Sequence, residues 1–212
     1  MRMDKLSVSI LAMMVASVCA CGGTTQPAAS TSPASSPAKS PAATLQSIAA
    51  QPADLPALGL QKCDTLPNGK PASGDLSAAG RGNEGEWAAV QAAGAVEGWI
   101  QWLGPVCPFV SLKAWVRNDL VRFKDASAAA AFFQSEKANA KTKAIFWPIG
   151  GGSHAEGGAT GFGPNSVSLV FTGGTRFCVF WSNGSLLISY CSVNFSSADG
   201  RSGASAVNAR VP

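Results

Sequence analysis

SVSLVFTGGTRFCVFWSNGSLLISYCSV, residues 166–193, decides the fold. Ser166 to Phe171, Thr175 to Ser182 and Ser185 to Val193 are rich in β-branched, aromatic and aliphatic residues, and Gly173-Gly174 and Asn183-Gly184 separate them. Both dipeptides favour the positive backbone angles of two-residue hairpin turns, so the stretch predicts a three-stranded antiparallel meander. Alternation then gives one face Val170, Phe177, Val179, Trp181, Leu186, Ile188 and Tyr190. The other face takes Val167, Leu169, Phe171, Cys178, Phe180, Leu187 and Cys191. A sheet apolar on both faces has to be covered on both, which places the meander at the centre of the fold.

Upstream, a second hairpin is expected around Asn118-Asp119, joining Lys113 to Arg117 with Leu120 to Lys124. Asp125 then offers an N-cap to a helix from Ala126 to about Ala140, which holds a run of alanines followed by Phe132 and Phe133. Strands, helix and meander in that order give an α+β fold, an antiparallel sheet flanked by one or more helices. Between Glu84 and Leu103 the signals conflict: Trp87, Val90, Val96, Trp99 and Leu103 suit a helix in part, Gly94 and Gly98 weaken it, and Trp99 to Leu103 suits a strand. Both readings stay open there. The glycine-rich stretch Gly150 to Gly163 reads as an irregular surface loop.

The chain opens with Arg2 and Lys5 against Asp4, then runs apolar and uncharged from Leu6 to Ala20, the pattern of a signal peptide. That run is shorter than the roughly 20 residues a membrane-spanning helix needs. It ends in Val18-Cys19-Ala20-Cys21-Gly22, which resembles the lipobox of bacterial lipoproteins. The resemblance implies cleavage after Ala20 and a diacylglyceryl thioether on Cys21, with acylation of the new amino group. The alternative is an ordinary secretory peptide, with Cys21 buried or paired. Two acyl chains hold a protein durably at a membrane, where one does so only marginally. From Gly22 to about Pro56 the chain is Ala, Ser, Thr and Pro with few large apolar side chains, a composition expected to remain a disordered, extended spacer. The expected organisation is therefore a signal peptide at 1–20, a lipidated stalk at 21–57 and one extracytoplasmic globular domain at 58–212.

The chain carries 16 Lys and Arg against 12 Asp and Glu. Without residues 1–20 the balance is 14 against 11, a net charge of +3. No basic stripe forms, so nucleic acid is not expected as a partner. The expected partners are the membrane, through the lipid, and an envelope ligand or protein.

Four cysteines remain beyond Cys21: Cys63, Cys107, Cys178 and Cys191. In an exported domain they suggest two disulfides, with three connectivities open. Cys178 and Cys191 share strand parity across one hairpin. A strict Asn-Gly turn would leave them diagonal, and a bulge or longer loop would bring them opposite. The favoured pairing is Cys178 with Cys191 and hence Cys63 with Cys107.

VRFKDASAAAAFF at 121–133, Cys178, SNGSLLISYC at 182–191 and the small-residue segment Ala204 to Val211 together resemble the pattern of PknH-like extracellular sensor domains. The resemblance spans about half of the domain. It implies an antiparallel sheet flanked by helices, two disulfides and a ligand cleft, and it supplies no catalytic residue.

Chemistry is sparse. His154 is the one histidine, and Ser153 beside it does not form a catalytic pair. Gly150 to Ala155 fits G-x-G-x-x-A but lacks the strand and helix that a dinucleotide site needs. Glu84 and Glu86 are the close carboxylate pair that a cell-wall hydrolase would require, and a solvated turn explains them more simply. Trp87, Trp99, Trp102, Trp115, Trp147 and Trp181 offer either core or a sugar-stacking platform, with Trp181 assigned to the core. No catalytic residue, metal ligand or cofactor is assigned. The expected function is a non-enzymatic ligand-binding or sensor-like lipoprotein on the outer face of the membrane. The alternatives are a structural, partner-binding envelope protein and the hydrolase.

Overall fold

The computed structural model describes residues 43–77, 84–107, 114–139, 152–171 and 173–212. A short helix α1 (Leu45–Ile48) and two 3-10 turns (Pro52–Asp54 and Pro56–Leu58) precede β1 (Gln61–Lys62) and β2 (Gly74–Asp75). Helix α2 (Glu84–Ala92), β3 (Ala95–Gly104), β4 (Trp115–Phe123) and α3 (Ala126–Asn139) follow. The chain then forms β5 (Gly152–Glu156), β6 (Ser166–Phe171), β7 (Arg176–Asn183), β8 (Leu186–Val193) and α4 (Ser197–Ala209). The eight strands make one antiparallel sheet in the order β1-β3-β4-β8-β7-β6-β5, with β2 also paired to β3.

The meander is β6, β7 and β8, and it occupies the interior of the sheet as its two-sided apolarity requires. The first turn has positive φ at Gly173 and Gly174, and the ladder beside it pairs Val170 with Phe177. The second turn lies one residue later than the Asn-Gly reading. Asn183 pairs with Leu186, so Gly184 and Ser185 form the tip, and Gly184 at φ +55 takes the left-handed position that suits glycine. That one-residue displacement sets Cys178 directly opposite Cys191.

The two faces hold two separate cores. Val121, Phe123, Val167, Leu169, Phe180 and Leu187 meet Phe132 and Phe133 of α3 on one side. Phe133 stacks on Phe180 at 5.2 Å, and Phe123 lies 5.5 Å from Phe132. On the other side Leu120, Phe177, Val179, Trp181, Ile188 and Tyr190 meet α1 and α4. Each such side chain contributes roughly 1.5–3 kcal/mol by leaving water. The arrangement is helix, sheet, helix. Asp125 caps α3 as expected, accepting the Ala128 N–H at 2.7 Å. Helix α4 can lie close to the sheet because its inner face is small: a Cβ on Gly203 would stand 2.1 Å from the Tyr190 hydroxyl.

Four expectations change. There is no turn at Asn118-Asp119, because β4 runs unbroken through both residues and pairs with β3 and β8. The buried Asn118 side chain accepts the Ala50 N–H and donates to the Ser189 carbonyl, both at 2.8 Å, which satisfies an amide in mid-sheet. The open segment 84–103 is both alternatives in succession, α2 and then β3, broken at Gly94 with φ +99. Part of the Gly150 to Gly163 loop is β5, an edge strand paired to β6 through its backbone. Finally, residues well before 58 are packed: Leu45, Ile48, Ala49, Ala50 and Leu55 are buried against the α4 side of the sheet, with Ala43 partly buried beside them. Arg210 fastens this segment, bonding both carboxylate oxygens of Asp54 at 2.7 and 2.8 Å and the Ile48 and Ala49 carbonyls.

Candidate functional site

One ladder row reads across β3, β4, β8, β7 and β6 as Trp102, Arg117, Cys191, Cys178 and Leu169, all on the α3 face. The row beside it reads Ile100, Asp119, Ser189, Phe180 and Val167. Polar groups thus enter an otherwise apolar floor on β4 and β8. Arg117 and Asp119 are two apart on one strand and therefore project to the same side. The Arg117 Nε donates to both Asp119 oxygens at 3.0 Å. Asp119 is only 3% exposed, and a carboxylate so placed needs a cation beside it.

Above this floor stands a short hairpin at 64–72. Thr65 pairs with Pro71, the Leu66 N–H donates to the Lys70 carbonyl at 2.8 Å, and the Ala72 N–H donates to the Asp64 carbonyl at 2.8 Å. Two devices fix it to the sheet. The first is the Cys63–Cys107 disulfide. The second is the buried Ser73 hydroxyl, which donates to the Cys63 carbonyl (2.6 Å) and accepts from the Trp102 N–H (2.9 Å) and the Gln101 amide (3.2 Å).

Hairpin and floor enclose a half-open cleft of about 260 Å³. Leu66, Asn68, Lys70 and Ala72 line its hairpin side, and Ile100, Trp102 and Arg117 its floor. The Trp102 ring is in contact with Trp115, centroids 5.0 Å apart, and the Arg117 guanidinium lies 5.7 Å from its centre. A cation over an indole is attracted by the ring quadrupole, more strongly where water is excluded. The cleft therefore combines one aromatic surface, two cationic side chains and a wall pinned before any ligand arrives. Further along the same face the Arg176 guanidinium packs 4.2 Å from the Phe171 ring, and burial lowers its pKa from the usual guanidinium value.

Cys63 with Cys107 and Cys178 with Cys191 form the two disulfides, as favoured from strand parity. Cys21 and Trp147 lie outside the described residues, as do the side chains of Glu84 and Glu86 in the first turn of α2. His154 is half-exposed on β5, 3.7 Å from Glu156. The Ser153 hydroxyl donates instead to the Val170 carbonyl at 3.3 Å. Gly152 to Ala155 lie within that strand, which is not the strand-to-helix turn of a nucleotide loop. Glu156 is held below the usual carboxylate range by its hydrogen bond to Lys137. Trp181 is fully buried and donates Nε1–H to Asn208 at 2.9 Å. Among the described residues no three His, Cys, Asp or Glu side chains gather as a metal site. No described helix is long and apolar enough to cross a membrane.

Sequence reasoning considered Trp102 and Trp115 only as members of an aromatic set, and it missed Asn68, Lys70, Arg117 and Asp119. The Arg-x-Asp spacing inside an apolar strand was the available signal, and the expected turn at Asn118-Asp119 hid it.

No protein-family model matches the chain, and no curated protein matches it. Among solved structures it is similar to the extracellular domain of PknH from Mycobacterium tuberculosis, with a TM-score of 0.45 and 13% identity. The similarity covers 77% of this chain and 93% of that one. A likeness of that degree assigns neither ligand nor activity.

Proposed function

We propose that this chain is an extracytoplasmic lipoprotein, tethered through Cys21, whose domain is a non-enzymatic binding or sensing module that receives its ligand in the Trp102 cleft. The observation that carries the binding half is the cleft's preorganisation. A hairpin held by a disulfide and by the Ser73 hydroxyl pays its ordering cost on folding, so less is lost on binding. The Trp102 and Arg117 floor supplies an aromatic surface beside fixed charge, the usual composition of a small-molecule site. The tethering half rests on Val18-Cys19-Ala20-Cys21 after an apolar run of signal-peptide length.

Two experiments test the two halves. In a bacterial host fed an alkyne fatty acid, the chain takes up label and fractionates with membranes, and Cys21→Ser abolishes both; label that survives Cys21→Ser removes the anchor. In a thermal-shift screen of muropeptides, envelope lipids and small metabolites, at least one class raises the melting temperature, and Trp102→Phe reduces that rise. A screen with no shift from any class removes the binding module and leaves a partner-binding envelope protein.

A further inference from the structure

We infer that Asn183 is a site of spontaneous covalent modification, its side-chain amide being converted to a carboxylate through a cyclic imide formed with the backbone nitrogen of Gly184. The inference is independent of the cleft and of its ligand.

The reaction needs only the chain and water. The Gly184 N–H loses its proton to hydroxide or water, and its nitrogen attacks the carbonyl carbon of the Asn183 side chain. A new C–N bond forms, the bond to the amide nitrogen breaks, and ammonia leaves. The five-membered imide then takes up one water at either carbonyl, giving aspartate or the isomer whose main chain runs through the former side chain. The sum is amide plus water to carboxylic acid plus ammonia, with nothing oxidised or reduced. Three conditions favour it: an asparagine open to water, a next residue with no Cβ to crowd the nitrogen, and an N–H that no acceptor holds.

The sequence carries this dipeptide twice, each time in a hairpin: Asn183-Gly184 between β7 and β8, and Asn68-Gly69 within 64–72. All four residues are exposed, and both glycines have positive φ, +55 at Gly184 and +77 at Gly69. Hydrogen bonding separates them. The Gly69 N–H donates to the Leu66 carbonyl at 2.9 Å, and the Asn68 Oδ1 accepts the Lys70 N–H at 3.1 Å. The nucleophile and the group it would attack are therefore both engaged, the second in a local side-chain turn. Among the described residues neither the Gly184 N–H nor the Asn183 amide has such a partner. Asn183 also pairs with Leu186 on the last rung of its ladder, and the ends of a ladder open most readily. Two hydrogen bonds to release at one tip and none at the other correspond to a rate ratio on the order of tenfold. The product places one negative charge at the β7 and β8 tip and, in the isomer, one more carbon in its main chain.

The purified full chain, aged at mildly alkaline pH in its native state and in guanidinium chloride, tests this by reduction, tryptic digestion and fragment mass spectrometry. Asn68 and Asn183 fall in different tryptic peptides, so each rate is read separately. In the native chain Asn183 should gain the mass of the carboxylate about tenfold faster than Asn68. In guanidinium chloride, where neither tip has its structure, the two rates should be about equal. Gly184→Ala should slow the native reaction at position 183, and Asn183→Gln, which would need a larger ring, should abolish it. Equal native rates, a faster reaction at Asn68, or a native Asn183 that stays intact while the unfolded chain reacts overturns the inference. A native preference that persists unchanged in guanidinium chloride overturns it too, since the folded tips would then not be its cause.

Discussion

Asn118-Asp119 and Asn183-Gly184 carry the same kind of turn signal, yet one lies in the middle of a central strand and the other leads into the tip of a hairpin, with Asn183 as its last paired residue. The difference lies in what each asparagine's neighbours supply. Gly184 accepts a φ of +55 that a residue with a Cβ resists, so the chain turns there. Asn118 has no glycine after it and has two buried backbone groups within reach, the Ala50 N–H and the Ser189 carbonyl. A side chain that can imitate a peptide group is as useful for joining layers as for reversing the chain.

The hardest way to break the comparison is Asn118→Ala, which leaves the Ala50 N–H and the Ser189 carbonyl buried without those partners. Each orphaned group costs about 1–3 kcal/mol, so a loss of about 3–5 kcal/mol is expected in urea unfolding, where Asn183→Ala at the exposed turn costs under 1. The second way is to remove Cys178–Cys191 by paired alanine substitution. Its 13-residue span gives an expected loss of about 3 kcal/mol on the chain-entropy model, with the midpoint lowered and the fold kept. A loss near zero would mean that the β7 and β8 register is held without the bond.

A third test uses pH. Tyr190 faces Asn118 across the ladder, and burial, helped by the Asp54 and Asp199 charges, raises its phenol well above the usual range. The unfolded chain releases this proton near pH 10 and the folded chain keeps it, so stability is full below pH 10 and falls as pH rises beyond it. Tyr190→Phe should flatten that alkaline limb, read from melting temperatures between pH 9 and 11.5. The smallest effect belongs to Gly184→Ala, about 1 kcal/mol, because only one left-handed residue is strained at an exposed tip.

The meander was legible because alternation and glycine placement agree over Ser166 to Val193, and α3 because Asp125 precedes a run of helix formers. What stayed hidden was held by distant partners. Leu45, Ile48 and Leu55 are spread through a segment of alanine and proline, and their burial depends on α4 and on Arg210, more than 150 residues away. β5 owes its pairing to backbone groups that the glycine-rich stretch around it does not advertise. The cleft was the least legible part. Its wall comes from a hairpin without periodicity, and its floor exists only once the ladder sets Trp102 beside Arg117.

The Arg210 clamp has one more consequence. By gripping Asp54 and the carbonyls of Ile48 and Ala49, it holds the residues just after α4 against the segment that follows α1. Chains with adjacent ends tolerate permutation. A flexible linker from Pro212 to Ala43, with new ends opened at the exposed Gly158, should therefore give a molecule with the same sheet order and the same two disulfides.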